Sequence, residues 1–185
     1  MLIAASALDV ELGLPTFLAG LATVLAVLVT KREAPWAVAR GISWGVLPLV
    51  AGLFVLVESL EETGVLQALV EALKQSVARS EPLTALGAGL LVGFGSNLVN
   101  NLPAGLLAGA AVRAAEAPGR VAGAILIGVD LGPNLSVTGS LATILWLVAI
   151  RREGQHVGAW RFLKLGALVM PPTLILALGS LMLTG

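Results

Sequence analysis

The chain has 185 residues, of which 57% are hydrophobic and 12% charged, and its mean hydropathy is +0.97. That composition is the mark of an integral membrane protein, and at about 20 apolar residues per crossing it leaves room for only a handful of spans. Its 11 basic residues balance 11 acidic ones, which gives nucleic acid no footing; with no cysteine and only His156, the chain has no disulfide, thiolate metal site or histidine cluster.

In chain order, Asp9 and Glu11 precede the first apolar run without a basic stretch, the pattern of a first span and not of a cleaved leader. Residues 13–30 and 41–59 are each near one bilayer thickness and read as ordinary spans, bent at most by Pro15 and Pro48. Over 65–81, Val65, Leu66, Leu69, Val70, Leu73 and Val77 recur at helical spacing against Glu71, Lys74 and Arg79, which predicts an amphipathic helix on the membrane surface.

The block 82–112 runs 31 residues without a charge, too long for one crossing and too short for two. Its middle, "SNLVNNLP" from Ser96 to Pro103, is a poor helix former. The economical solution is a re-entrant hairpin over 83–113, with arms at 83–95 and 104–113 and a polar tip. Each arm then reaches roughly 15–20 Å, about the midplane. Gly89/Gly93 and Gly105/Gly109 form small-xxx-small pairs that suit close helix packing. The next span, 120–151, is apolar inside except for Asp130 and is broken by "GPNLSVTGS" at 132–140. A last span covers 163–184 and contains Pro171 and Pro172. The reading is all-α: a single polytopic membrane domain over 1–185, with one re-entrant hairpin and one broken transmembrane helix.

Loop charges set an orientation. Lys31, Arg32, Arg40, Arg151, Arg152, Arg161 and Lys164 gather on one side, against Lys74, Arg79, Arg113 and Arg120 on the other, so the first set is expected to be cytoplasmic. Trp36, Trp44, Trp146 and Trp160 then fall at the cytoplasmic interface, as belt residues do.

Irregular backbone at membrane depth survives only where protein or water surrounds it, and secondary transporters place such breaks at a central substrate site. Two readings of the asparagines stay open: they line a site, or they cap helix ends and fix turns. Asp130 likewise either takes part in ion coupling or is a partnered acid beside the break. Glu58, near an outer helix end, is expected to snorkel to the surface. No GxxxxGK[ST], HExxH or GxSxG occurs and no cofactor is implied, so energy for any transport comes from an ion gradient or a separate subunit.

At these residues a resemblance appears. "GSNLVNNLP" followed by "GVDLGPNLSVTGSLATILWL" resembles the second half of the arsenical pump membrane proteins of the ion transporter superfamily, and "GISWGVLPLVAGLFVLVE" resembles the span before them. The resemblance runs over nearly the whole chain. It implies efflux of arsenite or antimonite across a bacterial inner membrane, driven by a proton (or sodium) gradient or assisted by a soluble arsenical ATPase. It also implies a site made by two inverted repeats, of which this chain carries one; a second repeat or partner chain completes it. Ser96, Asn97, Asn100 and Asn101 match the hairpin tip, and Gly132, Pro133, Asn134, Thr138 and Ser140 match the break, as substrate-binding positions. Two alternatives stand beside this reading: a sodium–proton antiporter or anion–sodium symporter of the same superfamily, and a non-transporting membrane scaffold.

Overall fold

The computed structural model describes residues 13–31, 36, 39–40, 42 and 44–184. Asp9, Glu11, Arg32, Gly41 and Ser43, all used above, lie outside the described residues. Every regular element among the described residues is helical: α1 (Gly13–Lys31), α2 (Val46–Glu62), α3 (Val65–Arg79), α4 (Glu81–Val99), α5 (Asn101–Ala115), α6 (Gly119–Leu131), a 3₁₀ turn (Gly132–Leu135), α7 (Leu141–Arg152) and α8 (Ala159–Thr184).

The chain forms two compact units, 1–48 and 49–185. The first contains α1, whose apolar stretch Gly13–Thr30 is long enough to cross a membrane and buries none of its residues against protein. A helix apolar all round is stable in lipid and not in water.

In the second unit, three helices share the core. α4 contributes Ala85, Gly89, Gly93 and Ser96; α6 contributes Val121, Ala124, Ile125 and Gly128; α8 contributes Gly166, Met170, Leu174 and Leu178. Each stripe recurs every three or four residues, so each helix buries one face. The opposite faces carry Leu91, Leu98, Leu168, Leu176 and Leu183, each more than 70% exposed. A surface of that kind fits a hydrocarbon solvent.

Glycine sets the spacing between α4 and α6. A Cβ on Gly128 would run into the carbonyl of Gly89, and one on Gly132 into the backbone of Gly93. Two small-xxx-small pairs, Gly89/Gly93 and Gly128/Gly132, thus let the two backbones touch. The hairpin arms therefore do not use their glycines on each other. Gly105 of α5 also faces α6, with its missing Cβ 3.1 Å from Val129, while Gly109 faces only the end of Arg113.

Lengths divide the helices into two kinds. Gly13–Thr30, Glu81–Val99 and Ala159–Thr184 are long and apolar enough to cross a membrane. α5, α6 and α7, with 15, 13 and 12 residues, are not. At 1.5 Å per residue they reach about 18–22 Å, short of a core of about 30 Å. The chain is a polytopic all-α protein whose short helices stop where the polar motifs begin.

Candidate functional site at the meeting of four helix ends

α4 ends at Val99 and α5 begins at Asn101, so the expected tip of 96–103 narrows to the single residue Asn100. Asn100 sits at φ 75°, a region that asparagine tolerates better than other residues with a Cβ. Its side-chain oxygen accepts from the Leu102 N–H at 3.3 Å, capping α5, and its amide N–H donates to the Thr138 carbonyl at 3.1 Å. On the facing strand of chain, α6 ends at Leu131, the 3₁₀ turn follows, and Ser140 caps α7 by accepting from the Ala142 N–H at 3.1 Å. The Asn101 N–H donates to the Gly139 carbonyl at 2.8 Å, which joins the two breaks directly.

Asn97 is the bolt between them. Its Nδ2 donates to the Gly132 carbonyl at 2.8 Å and the Gly93 carbonyl at 3.1 Å. Its Oδ1 accepts from the Ser136 N–H at 3.0 Å and the Ser136 hydroxyl at 2.9 Å. Two donors and two acceptor sites are all an amide has, and all are used. The Thr138 hydroxyl adds a bond to the Asn97 carbonyl at 3.1 Å. Ser96 is fully buried and turned back on its own helix, its hydroxyl donating to the Gly93 carbonyl at 2.9 Å. Gly132, Pro133 and Gly139 are buried as well; a Cβ on Gly139 would strike Pro133 and the Asn97 side chain.

Other polar groups face outward. Asp130, Asn134 and Thr138 are exposed. The Asn134 amide donates to the carbonyls of Leu131 (3.0 Å) and Asp130 (3.3 Å), closing the end of α6, and leaves its oxygen open. Among the described residues, the Asp130 carboxylate has no ion-pair partner, and neither it nor the Asn101 side chain makes a hydrogen bond.

The electrostatics follow from the helix ends. α5 and α7 bring their N-termini, each carrying partial positive charge, although the first N–H groups of α5 are already taken by Gly139 and Asn100; α4 and α6 bring C-terminal carbonyls. Asp130, in the last turn of α6, places a carboxyl group at an already negative end. No Lys, Arg or His occurs within 82–112 or 121–150, so the two breaks and the helices that they interrupt carry no basic side chain of their own.

All nine sequence-selected positions thus fall on the two breaks, but in two groups. Ser96, Asn97, Gly132 and Pro133 are interior or saturated, and Asn100, Asn101, Asn134, Thr138 and Ser140 reach the accessible side. Three further residues were missed. Ser136 lies inside the quoted motif without having been singled out; Gly128 was legible as the partner of Gly132 in a small-xxx-small pair. Gly166 gave no local signal: its importance is that a Cβ there would meet the Leu135 and Asn134 carbonyls at 2.5 and 2.7 Å, so α8 leans on the break.

The sequence pattern of a family described as the citrate transporter matches residues 1–133, a stretch that takes in the hairpin and ends inside the break. The chain belongs to the citrate transporter family. Within reach of this member of the family are the arsenical pump membrane proteins of Yersinia enterocolitica and Escherichia coli (strain K12), each 28% identical over 180 residues, covering 93% of this chain and 42% of the relative. An uncharacterized transporter of Mycobacterium tuberculosis is 31% identical over 146 residues, covering 74% of this chain and 33% of the relative. The chain therefore spans about two-fifths of the length of the arsenical pump proteins it matches. No solved structure matches it. The chain is thus a polytopic membrane protein of a family described by transport, and it is similar to part of each of these relatives.

Proposed function

We propose that this chain supplies one repeat of a secondary transporter that exports arsenite or antimonite across the bacterial inner membrane. The observation that carries the reading is the character of the four-ended site: amides, hydroxyls and helix termini, with no basic side chain within 82–112 or 121–150. Arsenite in its neutral form presents three hydroxyls and needs neutral donors and acceptors, whereas a multiply charged anion left without a cation there is penalised by desolvation. The names of the 28%-identical relatives point the same way.

In this reading Asn100, Asn101, Asn134, Thr138 and Ser140 contact the cargo, while Ser96, Asn97, Gly132 and Pro133 hold the two breaks in register. Asp130 takes the coupling proton or sodium ion at the negative end of α6. The chain acts as a single membrane domain over 1–185, with 83–113 a re-entrant hairpin entering from the non-cytoplasmic side and 120–151 the broken span. A second repeat, in the same polypeptide or a partner chain, faces the open side of the site, and a soluble arsenical ATPase serves as an auxiliary subunit. A second reading, an anion–sodium symporter, has one observation in its favour: the family matched is the citrate transporter's, and the paired N-termini of α5 and α7 suit an anion.

A chimaera tests both. This chain replaces the matching segment of the Yersinia relative, and everted vesicles are assayed for gradient-driven uptake of arsenite and of citrate. Arsenite uptake by the chimaera, absent in vesicles holding this chain alone, is the expected result. A chimaera that inserts and carries citrate but no arsenite would establish the second reading in place of the first.

A further inference from the structure

A cavity lies apart from the breaks, between α2 and α5, with a volume of about 550 Å³. Phe54, Val57, Leu106 and Ala110 make it largely apolar, yet Glu58 and Arg113 also line it. Among the described residues neither charge has an ion-pair partner, and they are not paired with each other. Their register is similar: Glu58 stands one turn before the end of α2 at Glu62, and Arg113 two residues before the end of α5 at Ala115. The guanidinium does not reach outward past the helix end. It folds back one turn, its Nη1 3.9 Å from where a Cβ on Gly109 would stand. The missing side chain at Gly109 leaves room for that path, and a long side chain on a helix leans toward the N-terminus.

Opposite charges that share a greasy cavity without touching each other fit a ligand that is itself zwitterionic and amphiphilic. A guanidinium binds phosphate through two parallel N–H bonds, and a carboxylate accepts from a primary ammonium. We propose that the α2–α5 cavity is a binding site for a phospholipid whose headgroup carries a phosphate and a primary ammonium, a phosphatidylethanolamine: phosphate on Arg113, ammonium on Glu58, and an acyl chain along Phe54, Val57, Leu106 and Ala110. The charge pattern selects within the lipid class. A phosphatidylcholine has the phosphate but no N–H to donate, and a phosphatidylglycerol has the phosphate but no cation. The site is independent of the cargo carried at the breaks, which neither residue touches.

The test is lipid retention by the full chain, purified in mild detergent, incubated with an equimolar mixture of the three lipids and read by native mass spectrometry. The expected result is retention of phosphatidylethanolamine ahead of both others. Glu58→Gln should bring it level with phosphatidylcholine, and Arg113→Gln should lower retention of all three about tenfold, the effect of losing one charge-assisted contact. Arg113→Lys, which keeps the charge without the fork, should fall between. Both side chains are exposed, so the variants fold as the parent does. Equal retention of the three lipids by the unaltered chain would overturn the proposal, as would a phosphatidylethanolamine preference that survives both Gln substitutions. Displacement by free phosphoethanolamine as readily as by lipid would also overturn it, since the acyl chain would then have no part.

Discussion

Replacing Asn97 by alanine removes two donors and two acceptors from one bolt, and with them the side-chain partner of the Gly132 carbonyl and of the Ser136 N–H. Each such group left unsatisfied in a poorly solvated place costs about 1–3 kcal/mol, so Asn97→Ala should lower stability by about 3 kcal/mol or more. Four residues along, the Asn101 side chain makes no hydrogen bond, and Asn101→Ala should alter the melting point by no more than a surface change does. If Asn101 contacts cargo, that same variant should cut uptake by the arsenite-carrying chimaera about tenfold or more. Thermal melting of both variants, set beside vesicle uptake, separates the frame from the contact. Asp130→Asn keeps the shape of an exposed, unpaired group and removes its charge. The expected outcome is an intact fold whose uptake no longer responds to the imposed gradient; an unchanged response would remove Asp130 from coupling. From sequence, the asparagines were visible as out of place in a greasy run, but not which of them was a bolt. That distinction depends on partners 35 to 41 residues away, and nothing in local spacing reveals them.

At the scale of the element, the α4–α6 contact rests on backbone touching backbone. A methyl group on Gly128 or Gly132 has nowhere to go except by pushing the helices apart, so Gly128→Ala and Gly132→Ala should each cost about 3 kcal/mol. Gly87 and Gly95 are on the same helix as Gly89 and Gly93, and a Cβ on either meets nothing within 4 Å. Alanine there should be neutral or gain up to about 1 kcal/mol of helix propensity. Denaturation of the four variants side by side checks the contrast. Helix breaks were the most legible elements: Gly132, Pro133 and Gly139 marked the second one within a residue or two. The first was expected to be wider, at 96–103, because serine and asparagine are weak helix formers. Ser96 and Asn97 stay helical because their side chains bond the Gly93 carbonyl one turn back and, for Asn97, the facing break. Tertiary partners override propensity there.

Across the whole molecule, polytopic all-α architecture followed from composition and the lengths of the apolar runs, and the helices bear it out. Depth is another matter. α4 has 19 residues, about 28 Å at the helical rise, and is longer than the arm of 83–95 expected from the charge-free block. Tilt and packing, which sequence length does not encode, decide how far into the bilayer the tip stands. If the helix ends meet at a water-lined site within the membrane, residues there are open to aqueous reagents, and a chain without cysteine allows single cysteines to report it. The measurement is labelling of single-cysteine variants in intact vesicles by a small, membrane-impermeant maleimide, at Asn101 and Thr138 of the site and at Leu126 and Leu176 of the outer surface. Asn101→Cys and Thr138→Cys are expected to react while Leu126→Cys and Leu176→Cys, 61% and 73% exposed on the surface assigned to lipid, stay inert. Site cysteines as unreactive as the lipid-facing pair would mean that no water reaches the breaks, and that the asparagines cap helices and nothing more.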